Sequence, residues 1–350
     1  MSFFKSLFQL LFSAILIAGC GSGCQSVANK SAQAKADDAD FVIAFGSCNK
    51  PSLPNPFWKQ MDALDPDVFI WGGDNVYADT GDMRVMKRYY DDQLAVEDYA
   101  AFAKNTPILG TWDDHDYGKN DAGVEWSKKD EAQQLLLDFL GEPKESPRRT
   151  QKGVYDAQVF ETDGKTIKII LLDTRYFRSP LQESSKPGER YTANPDTNTT
   201  ILGETQWNWL ANELRESPAD FTVIVSSIQF LSGEHGFEKW NNFPHEVAKM
   251  EKLILDSPSQ NIIFLSGDRH ISEFSRKEMD GLDYPLIDFT SSGLTHAYTS
   301  FDGEPNTFRV GEVITTESFG LLSFDLKSME VTFEIRTKDG VAAALIQRYE

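Results

Sequence analysis

Four short apolar stretches of this chain run straight into side chains that can hold metals, and that repeated junction constrains the fold more than any other feature. Residues 41–45 lead into Gly46-Ser47-Cys48, and residues 68–71 into Gly72-Gly73-Asp74-Asn75-Val76-Tyr77. Residues 107–111 lead into Trp112-Asp113-Asp114-His115-Asp116, and residues 262–265 into Ser266-Gly267-Asp268-Arg269-His270. Apolar runs of this length without polar alternation read as strands buried on both faces. The spacing predicts helices over 56–64, with Asn55 as a cap, and over 82–104, 127–140 and 206–214, with another near 245–255. Residues 154–160 and 166–172 alternate in polarity about Asp163-Gly164 and predict a hairpin. Further strands are expected at 221–225, 286–289, 320–324 and 331–335, so that the tail beyond about residue 284 is mostly β. Buried strands alternating with helices, with hairpins among them, predict an α/β fold of two sheets flanked by helices rather than one open parallel sheet.

The N-terminus reads as an address. Lys5 precedes an apolar run at 7–18, about a dozen residues against the roughly 20 that cross a bilayer. It ends in Ile17-Ala18-Gly19-Cys20, similar to a bacterial lipobox in which Cys20 carries the lipid; an ordinary secretory signal with a chance cysteine is the alternative. The expected organisation is a lipoprotein signal peptide at 1–19, a lipid-anchored flexible tether at 20–40 and one folded domain at 41–350. No Asp follows Cys20, so the expected location is the outer membrane, on its periplasmic or surface side, with the lipid as the only membrane contact. With Cys20 acylated, Cys24 and Cys48 remain; they either pair or leave Cys48 free as a ligand. Thirty-four basic against 54 acidic residues give a net charge of −20, which repels phosphate backbones and argues against a dedicated nucleic-acid binder. An anionic substrate would therefore need a local source of positive charge.

The four junctions offer one. Loops at the carboxyl ends of parallel strands converge on a single crevice. Carboxylates gathered there with a thiol, a phenol and imidazoles repel one another and lose hydration unless cations neutralise them. A polynuclear metal centre is the expectation.

These motifs resemble the alkaline phosphatase D (PhoD-type) family of calcineurin-like metallophosphoesterases. The likeness extends in order through Leu172-Asp173-Thr174-Arg175-Tyr176-Phe177-Arg178, Leu202-Gly203-Glu204-Thr205-Gln206-Trp207 and Ser226-Ser227-Ile228-Gln229, over roughly residues 41–325. It implies a four-layer αββα sandwich, hydrolysis of small-molecule phosphate esters, and a centre of iron, Fe(3+), and calcium, Ca(2+), with two calcium ions. By that resemblance Cys48 and Tyr77 are thiolate and phenolate ligands of the ferric ion, and Asp74 bridges the metals. Asp114 and Asn120 are oxygen ligands of calcium, and Asp268 and His270 close the centre. His115 is read as a general acid near the phosphate, with orientation of Asp114 as the alternative. Arg175 is read as the phosphate clamp, while Arg178 is a second clamp or a structural ion pair. Asp113 and Asp116 are ligands or solvated loop carboxylates. His296, in Thr290-Ser291-Ser292-Gly293-Leu294-Thr295-His296, either lines the pocket or plays an ordinary loop role. The chain departs from longer members of the family, which carry an all-β region before the Gly-Ser-Cys loop. Here that loop follows Cys20 by about 28 residues, so the pocket wall must come from elsewhere, with 179–200 as the candidate. Sulfate-ester hydrolysis on the same scaffold and a non-catalytic surface lipoprotein are the competing readings.

Overall fold

The structure, a computed structural model, describes residues 39–216 and 218–349. The expected signal peptide, Cys20 and Cys24 lie outside the described residues. The elements in order are β1 (Phe41–Gly46), α1 (Phe57–Asp62), β2 (Val68–Gly72), α2 (Met83–Leu94), α3 (Glu97–Asn105), β3 (Ile108–Thr111), α4 (Asp114–Tyr117) and α5 (Lys129–Phe139). There follow β4 (Asp156–Thr162), β5 (Lys165–Leu171), β6 (Gln182–Glu183), β7 (Tyr191–Thr192), α6 (Gly203–Glu216), β8 (Phe221–Val225), α7 (Pro244–Leu255) and β9 (Ile262–Ser266). The chain closes with β10 (Ser272–Lys277), β11 (Leu286–Ser291), β12 (Arg309–Ile314), β13 (Phe319–Asp325), β14 (Glu330–Thr337) and β15 (Gly340–Arg348).

Two mixed sheets carry the fold. The first runs β15-β14-β13-β1-β2-β3 and the second β12-β10-β11-β9-β8-β5-β4, while β6 and β7 form a small ribbon. In the first sheet β1, β2 and β3 are parallel; in the second, β5, β8, β9 and β11 are parallel. Antiparallel strands lie to the outside of each parallel core.

Strand alternation sorts side chains into layers. Phe41, Ile43 and Phe45 of β1, with Val68 and Ile70 of β2, belong to the apolar cluster shared with the second sheet. Their neighbours Val42, Ala44, Phe69 and Trp71 belong to a separate cluster with Phe57, Trp58, Met86, Tyr99, Phe102 and Leu136 of α1, α2, α3 and α5. A period of two thus places both faces of one strand in different cores. Phe45 meets Phe289 edge-on at 4.8 Å between ring centres, closing the two sheets on each other. On the far side α6 and α7 cover the second sheet, contributing Leu210, Leu214, Met250 and Ile254. Lys168 of β5, buried beneath α6, donates to the Glu213 carbonyl and carboxylate at 2.8 and 2.9 Å. The result is the expected four-layer sandwich of helices, two sheets and helices.

Local outcomes follow the chemistry of each boundary. Asn55 accepts from the Phe57 N–H at 3.0 Å, one residue ahead of Pro56, which occupies the N-cap position of α1. The helical run expected over 82–104 is instead two helices, because Val96 turns extended (φ −63°, ψ 113°) between α2 and α3. The strands β6, β7, β10, β12 and β15 lie outside the expected set. No described helix is long and apolar enough to cross a membrane.

Candidate metal centre

All the parallel strands of both sheets deliver their carboxyl ends to one region. The chain must leave each strand sharply there, and the backbone records it: Cys48 (φ 59°), Asp74 (φ 51°), Asp268 (φ 65°) and His270 (φ 55°) all sit in the left-handed region. Residues other than glycine are uncommon there and strained, and such strain gathers at functional sites. Gly73 (φ 100°) shows how close the approach is, since a Cβ there would lie 2.6 Å from Asp113 Cβ. At Gly267 a Cβ would meet Ser47 Oγ at 2.5 Å and the Gly72 carbonyl oxygen at 2.9 Å, so the ends of β1, β2 and β9 touch at this glycine.

Three overlapping groups of ligand atoms result, each within 4.8 Å: Cys48–Asp74–His270, Asp74–Asp114–His115 and Asp113–Asp114–Asp268. Asp74 and Asp114 each belong to two of them. Cys48 Sγ lies 3.4 Å from Asp74 Oδ2. The Tyr77 hydroxyl donates to Asp74 Oδ2 at 3.1 Å and lies 3.0 Å from His270 Nε2. Cys48 is a buried free thiol among the described residues. Cys48, Asp74, Asp113 and Asp114 are buried, whereas Tyr77, His115, Asp268 and His270 are half-buried and form a rim.

The electrostatics are those of an incomplete site. Burial, reinforced by Cys48 and Asp114, pushes the Asp74 carboxyl well above its ordinary range. Burial likewise raises Asp113 against the pull of Arg175, and raises Asp268 beside Asp113. For Tyr77 burial and the Asp74 and Cys48 charges act in the same direction, upward. Burial would raise Cys48 too, yet its attraction to His270 and its hydrogen bonds bring the thiol down to about 6. Asp113 Oδ2 and Asp114 Oδ1 are buried without a hydrogen-bond partner among the described residues. Buried carboxylate oxygens are normally satisfied, so these two fit a cation that would accept their lone pairs. One end of the cluster offers thiolate, imidazole and phenol, suited to a transition metal, and the other offers only carboxylate oxygens, suited to a hard divalent cation.

Asn120 is exposed on the turn after α4, next to Asp121, whose backbone N–H donates to Asp114 Oδ2 at 2.6 Å. The His115 N–H donates to Asp74 Oδ1 at 3.2 Å, and its Nδ1 lies 2.8 Å from both oxygens of Asp79. Burial lowers the His115 pKa, but the Asp79 hydrogen bond and the Asp114 charge outweigh it and carry the ring up to about 9. Asp116, expected as a ligand or a solvated carboxylate, is neither solvated nor in a ligand group. It is fully buried and accepts from the backbone N–H of Asp113 at 2.8 Å and of Asn75 at 3.3 Å, fixing the turn into α4. Asp113 is also fully buried.

Arg175 is placed differently from the open clamp that was expected. It is wholly buried, with Nε donating to Asp113 Oδ1 at 2.6 Å and Nη1 to Glu238 Oε2 at 2.6 Å. Arg178, also buried, pairs with the other Glu238 oxygen at 2.8 Å. With no face open to solvent, the Arg175 guanidinium holds Asp113 in place rather than receiving a ligand. Three participants, Ser292, Asp79 and Glu238, were not singled out from the sequence as site residues. Ser292 Oγ lies 3.0 Å from Cys48 Sγ and accepts from the His270 N–H at 2.7 Å. His296, which the sequence left between pocket and loop, lies with its ring centre 4.5 Å from that of His270 and 4.8 Å from that of Tyr77. Asp79 and Glu238 carried no local signal, because isolated acidic residues are common in loops.

The sandwich and its strand-end cluster define a metallophosphoesterase-type protein. Residues 86–304 match the PhoD-like phosphatase family, and the chain belongs to that family. Alkaline phosphatase D of Bacillus subtilis (strain 168) is 26% identical over an alignment of 211 residues, with coverage of 55% of this chain and 35% of that protein. The chain thus matches about a third of that relative's length. A solved structure of PhoD superposes with a TM-score of 0.68 at 18% identity, covering 88% of this chain and 68% of that one. GAP50, the anchor in the inner membrane complex of Plasmodium, gives 0.59 at 15% identity over 89% and 90% of the two chains. A dimetal phosphatase from Danio rerio gives 0.51 at 13% identity over 89% and 100%. At those identities the structural likenesses establish a shared fold. Cys48, Asp74 and Tyr77 precede the matched family segment, so their place in the site rests on geometry.

Proposed function

We propose that this protein hydrolyses phosphate esters at a centre of one ferric ion and calcium, and that it does so as an exported lipoprotein anchored through Cys20. The observation that carries the catalytic reading is the overlap of three ligand groups through Asp74 and Asp114 at the strand ends. Cys48, Tyr77 and His270 would hold the ferric ion, with Asp74 shared between metals; Asp113, Asp114 and Asp268 would hold calcium, with Asn120 as a neighbouring oxygen donor. When bound, such cations supply the Lewis acidity that polarises a phosphoryl group and activates water. They also supply the positive charge that an acidic exterior denies to an anionic substrate.

The protein's own groups divide the remaining work. The carboxylates of Asp74 and Asp114 fix the spacing of the two halves of the site. His115, half-buried at the rim and held protonated by Asp79, is positioned to give its proton to the leaving alkoxide. Arg175, braced by Glu238, orients Asp113, and Ser292 holds both the Cys48 thiol and the His270 backbone. No serine or threonine nucleophile is required. Export and lipidation are supported by the apolar run at 7–18 and the sequence ending at Cys20. Hydrolysis of 4-nitrophenyl phosphate by the purified protein, before and after exhaustive chelation, tests the catalytic reading: turnover should vanish on chelation and return with metal. Undiminished turnover in the chelated protein would overturn it.

A further inference from the structure

Beside the carboxylate end of the site lies a patch of buried nitrogen donors that the proposed chemistry does not use. Phe237 is its hub. The Arg269 guanidinium carbon stacks 4.1 Å from the centre of the Phe237 ring. Lys239 Nζ donates to the Phe237 carbonyl at 3.1 Å, and the His235 ring centre lies 6.2 Å from that of Phe237. All three cationic-type residues are buried, at 3% (His235), 5% (Lys239) and 8% (Arg269) exposure. Three of their donors are poorly used. His235 Nδ1 accepts from the Phe237 N–H at 3.2 Å, which leaves the proton on Nε2, and Nε2 has no partner among the described residues. Arg269 Nε is also without a partner among them, although Nη2 pairs with both oxygens of Glu304 at 2.8 and 3.0 Å. Lys239 makes no ion pair with a carboxylate among the described residues and meets one backbone carbonyl.

Glu189, Glu304 and Glu238 are near enough to act on Lys239, yet none forms a direct ion pair with it among the described residues. Buried charges are normally paired, because desolvation is otherwise uncompensated. Burial and the nearby Arg269 charge hold Lys239 down to about 8, outweighing the opposing pull of Glu189, Glu304 and Glu238. The same surroundings hold His235 well below its ordinary value, so it stays a neutral donor. The backbone under the patch is fixed in advance: the Arg190 and Tyr191 N–H groups donate to the Gly236 carbonyl at 2.8 and 3.0 Å, and the Thr307 N–H donates to Glu234 at 2.5 Å. Arg269 separates Asp268 from His270, and Glu238, next to Lys239, reaches Arg175 and so Asp113. The patch therefore abuts the centre.

We propose that His235, Lys239 and Arg269 form a binding site for a second phosphate group adjacent to the metal centre. The inference rests on the phosphoesterase reading only for the source of that phosphate, which is a second group on the substrate or free inorganic phosphate. The test uses the full chain with metals loaded. Equilibrium dialysis against inorganic phosphate should find two phosphates per chain in the native protein and one in Lys239→Met. Arg269→Gln serves as the second variant, and a cooperative thermal melt checks that each folds. In parallel, kcat/KM for adenosine 3′,5′-bisphosphate should exceed that for adenosine 5′-monophosphate by about tenfold, and the ratio should fall towards one in Lys239→Met. A single phosphate in the native protein, or the same number in native and both variants, overturns the site. Loss of one phosphate without a change in the nucleotide ratio identifies free phosphate as the ligand. Loss of one phosphate from a protein that hydrolyses neither nucleotide supports the site while the phosphoesterase reading falls.

Discussion

Asp74 is the residue on which the centre turns, since it belongs to two ligand groups and receives hydrogen bonds from Tyr77 and the His115 backbone. Asp74→Ala should abolish turnover and strip bound metal together, measured on one sample by assay and elemental analysis; retention of both would remove Asp74 from the centre. Arg175 makes a different prediction once its burial is known. Removing it leaves Asp113 buried without a cationic partner and Glu238 with Arg178 alone, and breaking a buried pair in this way typically costs about 3–5 kcal/mol. Arg175→Ala should lower the denaturation midpoint markedly, where loss of a surface clamp would cut turnover and leave stability alone. His115 gives a pH test. The Asp79 hydrogen bond raises its pKa, so Asp79→Asn should lower it. A general acid works while protonated, hence the alkaline limb of the kcat profile should move to lower pH in Asp79→Asn; a limb that stays put would leave His115 with orientation alone. Much of this was legible from residue type, because thiol, carboxylate and imidazole after apolar runs announce ligands. The difference between clamp and support for Arg175 was not legible, since it depends on which acids fold against the guanidinium.

At the scale of elements, the strand ends make the site and the glycines make the strand ends meet. Gly267→Ala would drive a methyl against Ser47 Oγ and the Gly72 carbonyl, and the backbone oxygen cannot swing away. The variant should keep its far-ultraviolet circular dichroism while losing most of its metal; full metal content would show that the junction is more pliable than its geometry. The buried parallel strands were readable because unbroken apolar runs bounded by Gly or Ser have few other readings. The split between α2 and α3 was not, since Ala95-Val96 contains no breaker and the turn is imposed by packing. β15 was missed for a related reason: Val341, the alanines at 342–344 and Leu345 suit a helix as well as a strand. Only the ladder to β14, from Glu330↔Arg348 to Thr337↔Gly340, decides it.

Across the whole molecule, two sheets that share one apolar core aim their carboxyl ends at one cluster, and β1 serves that core and the one beneath α1, α2, α3 and α5 through alternate residues. Burying Cys48, Asp74, Asp113 and Asp114 together leaves like charges and two orphaned oxygens at the centre, so the fold is incomplete without cations. Ligands that bind the folded state alone stabilise it by mass action, about 4 kcal/mol at a thousand times Kd. The metal content of the purified, unchelated protein is therefore the most direct measurement. More than one metal ion per chain is expected, iron among them, with the melting temperature falling as they are withdrawn. A pure, folded sample holding less than one metal ion per chain, and melting at the same temperature with or without chelator, would contradict it.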